Sequence, residues 1–130
     1  MAAAWFVPGQ ETPSSAQLLS EAPRHLFEAP QFFHIEIRNV FLSAERRGRM
    51  REVDVLRSLS VLQGFNLATA PSPSPREHDD VLALARQEGL TVYDGIYLWH
   101  AMRGRTTLAT RDANLIVASR RIGSKVLDLR

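Results

Sequence analysis

Apolar residues recur at helical spacing through most of this chain, with short β-like runs set between the periodic stretches. From Gln31 to about Gly48, Phe33, Ile37, Val40, Phe41 and Ala44 fall on one stripe, while Glu36, Asn39, Ser43 and Arg47 fall on a neighbouring polar one. A 3.6-residue period of this kind predicts an amphipathic helix with one buried face. Glu52 to Leu62 repeats the pattern with Val55, Leu56, Leu59 and Leu62, and Gly64 is placed to end it as a C-cap. Val81, Leu84, Ala85 and Glu88 mark a further helix closing at Gly89. The stretch holding Ile96, Tyr97, Leu98, Trp99, Ala101 and Met102 is apolar on most sides, which predicts a helix buried in the interior and stopped by Gly104. Ala113 to Arg120 predicts a short helix. Met1 to Phe6 predicts an apolar one halted at Val7-Pro8-Gly9, where proline disfavours helical geometry in the residue before it.

Start signals sharpen this reading. Thr12-Pro13 is an N-cap followed by proline at the first helical position, with Ala16, Leu18, Leu19 and Ala22 behind it. Ser74, Pro75 and Glu77 form a capping box that opens the helix through Val81. Strand-like runs cover residues 24–29, 65–70, 90–93, 106–110 and 124–129, and Pro71 to Pro75 reads as a turn, not a domain boundary. Strands alternating with helices predict one α/β domain over residues 1–130, a parallel sheet with helices on both faces.

Composition narrows the setting. A chain of 130 residues can bury a core without covalent staples, and with no cysteine it has neither disulfides nor thiolate metal ligands. No apolar run reaches the ~20 residues of a membrane span, and no basic segment precedes an apolar one at the N-terminus, so the expected location is cytoplasmic. The net charge of +2 says little about partners. The clustering of Arg46, Arg47, Arg49 and Arg51 says more: guanidinium groups match RNA phosphates or acidic side chains, and they equally suit a solvated helix terminus.

The candidate chemistry lies in carboxylates. Asp94 and Asp112 each follow a strand-like run and open a helical pattern. Taken singly, each fits a helix N-cap better than a ligand, and each also fits an acid lining the crevice at the carboxyl ends of parallel strands. Two carboxylates at ~4 Å repel by about 4 kcal/mol at an effective dielectric near 20. A hard divalent cation relieves such crowding, and all-oxygen ligands suit Mg2+ or Mn2+. Glu36 borders the apolar stripe of its helix, where it is either a surface residue or a side chain reaching a sheet-end crevice. His25, His34, His78 and His100 show no paired metal spacing and read as structural or surface residues.

The stretch YDGIYLWHAMRGRTTLATRDANL resembles the C-terminal half of a PIN domain, in particular the VapC toxins of toxin-antitoxin modules, with their D-x-x-Y-L-x-x-A and T-x-D-x-x-L segments. FFHIEIRNVF is similar to the family segment carrying an E-x-x-N pair. The resemblance runs from Ala2 to Leu129 and implies a three-layer α/β/α fold and Mg2+- or Mn2+-dependent hydrolysis of RNA phosphodiesters. On it, Glu36, Asp94 and Asp112 bind metal, Thr110 bonds a carboxylate or a metal-bound water, Asn39 orients, and Arg47 and Arg111 meet phosphate. It also implies a VapB-like antitoxin and a homodimer. In the family a first strand ends in an Asp ahead of an A-x-A-W-like helix, and Met1 falls where that helix starts. The first strand and first acid are thus expected to be missing, with Met1 read as a start codon placed too late. A chain lacking that acid is expected to bind Mg2+ poorly and cleave RNA weakly, or to be a module that binds RNA or antitoxin without cleavage. A phosphoacceptor signalling domain fits less well, because Lys125, the sole lysine, begins its strand instead of ending it.

Overall fold

Aromatic rings organise the first of two compact units, which ends at Thr69; the second runs from Ala70 to Arg130. The computed structural model describes Ala2–Arg130, so Met1, on which the reading of a misplaced start rests, lies outside the described residues. In the first unit, helix α1 (Ala2–Phe6) places Trp5 edge-on to Phe27 and Phe65, with centroids 5.8 and 5.4 Å apart, and Phe6 edge-on to Phe41 at 5.9 Å. Edge-to-face rings add to the stabilisation from burial, by about 0.5–1.5 kcal/mol per pair. The indole Nε1 of Trp5 donates to the carbonyl of Ser15 at 2.8 Å, which ties α1 to α2 (Pro13–Glu21). The predicted Thr12 cap is present: Thr12 Oγ1 accepts from the Ser15 amide, and Pro13 stands at the first helical position.

The strand expected over residues 24–29 is displaced. Ala22–Arg24 forms a 3-10 turn instead, and β1 covers Phe27–Pro30, because Pro23 and the α2 terminus keep the chain helical for one turn longer. Helix α3 (Phe33–Arg46) buries Ile37, Phe41 and Ala44, the core of the predicted stripe, while Phe33 and Val40 are only half-buried. Helix α4 (Glu52–Gln63) packs beside α3, and β2 (Leu67–Ala70) pairs with β1.

In the second unit α5 (Pro75–Glu88) begins with the predicted capping box between Ser74 and Glu77 and ends at Gly89, whose φ of 67° is the left-handed conformation glycine tolerates. The strand expected over residues 90–93 does not form. Thr91 is instead the N-cap of α6 (Val92–Gly104), so Val92 and Tyr93 are helical despite their β preference. Strand β3 (Leu108–Thr110) runs parallel to β4 (Val126–Asp128), with Thr110 in register with Asp128; both are shorter than the expected runs 106–110 and 124–129. Helix α7 (Ala113–Arg121) lies between them in the chain. The core here joins Leu98 and Ala101 of α6, Leu108 of β3, and Leu115 and Ala118 of α7. Within α6, Ile96, Leu98 and Ala101 are buried as expected, whereas Met102 is exposed and Trp99 half-buried beneath the Arg103 guanidinium, 4.6 Å from its ring centroid.

The chain is therefore a mixed α/β protein with short strands. Among the described residues the strands form two two-stranded sheets, β1-β2 and β3-β4, in place of the single parallel sheet expected. No helix of the described residues is long and apolar enough to cross a membrane.

Candidate functional site

The second unit holds four of the residues singled out by sequence. Thr110 ends β3 with its side chain buried, and its Oγ1 accepts from the amide of Asp112 at 3.1 Å. Asp112 is the N-cap of α7: its Oδ1 accepts from the Leu115 amide at 2.8 Å. A Thr-x-Asp sequence at a strand-to-helix turn is thereby locked into one backbone path, with the carboxylate at the positive end of the α7 dipole. Arg111 sits between them, half-buried, and its Nε is enclosed without a hydrogen-bond partner.

Asp94 stands three positions further into its helix than the N-cap place the sequence reading gave it. Thr91 caps α6, its Oγ1 accepting from the Asp94 amide at 3.1 Å and donating to Asp94 Oδ2 at 2.7 Å. Asp94 is thus a third-position acid of the first turn, where the helix dipole favours a negative charge. Gly95 follows because α5 lies against it: a Cβ built there would sit 3.1 Å from the Ala85 Cβ and 3.4 Å from Val81 Cγ1. The close approach of α5 and α6 sets where the Thr91-Asp94 knot stands.

The first unit holds the other three. Glu36 is half-buried in the first turn of α3, and Asn39 is exposed one turn on. Arg47 is the C-cap residue of α3 and is exposed. Of the neighbouring arginines, Arg51 is committed to Asp54 through a fork of 2.8 and 3.0 Å.

The donors match Mg2+ or Mn2+ in kind, since Glu36, Asp94 and Asp112 offer only oxygen. Among the described residues no group of three or more His, Cys, Asp or Glu is gathered within reach of one metal ion. The resolved bonding of Asp94 and Asp112 is capping.

Two arrangements escaped the sequence reading. Asp128 lies in register with Thr110, and the Arg130 guanidinium, assisted by the Arg130 amide and by Arg120, holds its carboxyl well below the usual carboxylate range. Glu88, expected only as one position of the helix closing at Gly89, has a side chain 2 % exposed and is clasped by Arg121 of α7 at 2.6 and 2.8 Å. A glutamate at the end of a helical pattern gives no sign of burial when its partner lies 33 residues away.

No protein-family model matches this sequence, and no curated protein sequence matches it. The chain is similar in structure to PAE2754 from Pyrobaculum aerophilum, known from its crystal structure, with a TM-score of 0.72 and 21% identity over 89% of this chain and 82% of that one. At that identity the likeness concerns the path of the backbone, and the fold is one this chain and PAE2754 share.

Proposed function

We propose that this chain is a PIN-like ribonuclease of the VapC type, with a three-layer α/β/α architecture, hydrolysing RNA phosphodiester bonds with Mg2+ or Mn2+. On this reading it is a cytoplasmic homodimer neutralised by a VapB-like antitoxin. Glu36, Asp94 and Asp112 are the carboxylates assigned to the ion, Thr110 and Asn39 orient the acids, and Arg47 and Arg111 meet RNA phosphate. The observation that carries the reading is the Thr110-Asp112 turn. Asp112 heads α7 directly after a parallel strand with the Thr110 hydroxyl on its amide, and the carboxyl ends of parallel strands are where α/β proteins hold ligands. Asp94 stands in the first turn of α6, bonded to its Thr91 N-cap. The enclosed, unpartnered Nε of Arg111 beside Asp112 suits an anion.

The test is cleavage of total RNA in Mg2+ by this chain, by the chain with its upstream codons, and by Asp94→Asn and Asp112→Asn variants of whichever is active. Cleavage that both substitutions abolish supports the reading. Cleavage that survives both, or none by any chain, overturns it.

A second reading, a PIN-like module that binds RNA or antitoxin without cutting, is favoured by the engagement of both aspartates in capping. It predicts RNA or antitoxin binding that Asp94→Asn and Asp112→Asn leave in place.

A further inference from the structure

The turn between α3 and α4 presents three arginines with no acid to answer them. Arg46 is the last residue of α3, Arg47 its C-cap, and Arg49 follows Gly48; all are exposed, and none makes an ion pair or side-chain hydrogen bond among the described residues. Five other arginines are matched to acids, Arg51 to Asp54, Arg103 to Glu77, Arg120 and Arg130 to Asp128, and Arg121 to Glu88. Arg24, Arg57, Arg76, Arg86 and Arg105 are exposed as well but stand singly in the chain, whereas this turn gathers three within four residues. The turn is also fixed in shape. The Gly48 amide donates to the Glu45 carbonyl and the Arg49 amide to that of Ala44, both at 2.9 Å, with Gly48 at a φ of 69°. Met50, 6 % exposed, pins the far side of the turn into the interior.

We infer that this turn is a binding surface for the phosphate backbone of RNA, resting on the proposal above that RNA is what the protein acts on. Guanidinium forks pair with phosphate oxygens in two parallel bonds, and a turn already held in shape loses little conformational freedom on binding. The same charges would attract an acidic peptide, and Leu42, Val53 and Leu56 are exposed beside the turn. Within the turn itself only arginines, Gly48 and Glu52 are exposed, and three guanidinium groups within four residues match the repeating phosphates of a polyanion, read for its charge and not for its sequence.

The experiment measures binding of a fluorescein-labelled single-stranded RNA in EDTA, so that cleavage does not intervene, over a range of KCl. Each single-strand phosphate contact contributes about 0.7 to the salt slope. The variant R46Q/R47Q/R49Q is therefore expected to lower the slope by about 2, which makes its affinity about 20-fold less sensitive to salt between about 50 and 200 mM. The control R24Q/R76Q/R86Q, which removes the same charge from other exposed positions, is expected to keep the native slope. The variant R46K/R47K/R49K, which keeps charge without the fork, is expected to retain the slope and bind more weakly. If the protein binds RNA and R46Q/R47Q/R49Q keeps the native slope and affinity, this surface is wrong while RNA remains the ligand. If the protein binds poly-glutamate and no RNA, this inference and the ribonuclease reading fall together. Binding that depends on the turn in a protein that never cleaves leaves this surface standing and removes only the nuclease.

Discussion

Single side chains in this protein hold backbone and charge together, and the two roles can be separated. Asp112 caps α7 through one carboxylate oxygen. Asparagine caps a helix about as well as aspartate, while alanine forfeits about 0.5–2 kcal/mol. Asp112→Asn is therefore expected to leave the urea midpoint near native and Asp112→Ala to lower it; any loss of RNA cleavage in Asp112→Asn then belongs to charge alone. Equal destabilisation by the two would show that the cap geometry is misassigned. Asp54 shows how an exposed carboxylate can still be strongly biased. Its hydrogen bonds from the Arg51 guanidinium, and then from the Arg51 amide, lower its pKa from 3.8 to about 2. A carboxylate lowered in this way favours the folded state at pH values above its unfolded pKa. That contribution fades as pH falls from about 4 towards 2. A carbon-13 titration of the Asp54 carboxyl should find its midpoint near the lower value, and Arg51→Gln should return it towards 3.8. An unmoved midpoint in Arg51→Gln would assign the shift to some other group.

At the level of elements, the helices were legible in the sequence and the strands much less so. The starts of α2 and α5 are written in three or four adjacent residues, Thr12-Pro13 and Ser74-Pro75 with Glu77, and the structure forms both caps. The run 90–93 misled because Val92 and Tyr93 favour strands, whereas the decisive signal was Thr91 with Asp94 three residues on, which exchange hydrogen bonds and start a helix. Strand propensity over four residues is weak beside a reciprocal cap. Of the candidate site, the Thr110-Asp112 turn was readable because it is local. The partners of Glu88 and Asp128 were not, because a side-chain pairing across elements leaves no trace in spacing. Gly95 is a point where α5 and α6 approach closely. A methyl group there would meet Ala85 of α5 at 3.1 Å. Gly95→Ala is accordingly expected to destabilise by about 1–3 kcal/mol despite the better helix propensity of alanine. Adding Ala85→Gly should restore part of that, and a double-mutant cycle in urea measures the coupling. Additive effects would mean the two helices already stand further apart.

For the whole molecule, the two compact units carry one tryptophan each, Trp5 in the first and Trp99 in the second. Each indole lies in its own unit's packing, so single-tryptophan variants report the units separately. Read this way, Gly95→Ala should lower the unfolding midpoint seen by Trp99 in a Trp5→Phe background more than that seen by Trp5 in a Trp99→Phe background. Identical shifts would show that the chain melts as one cooperative block. The arginine turn bears on a different property of the intact chain. Arg46, Arg47 and Arg49 make it a sequence trypsin prefers, yet its amides are bonded back to α3 and Met50 is buried behind it. Proteolysis needs an extended strand of substrate, so scission here must wait for the turn to open. The rate at which trypsin nicks the native protein at this turn then becomes a clock for that opening. Replacing Gly48, whose backbone conformation side chains rarely adopt, should make the clock run faster.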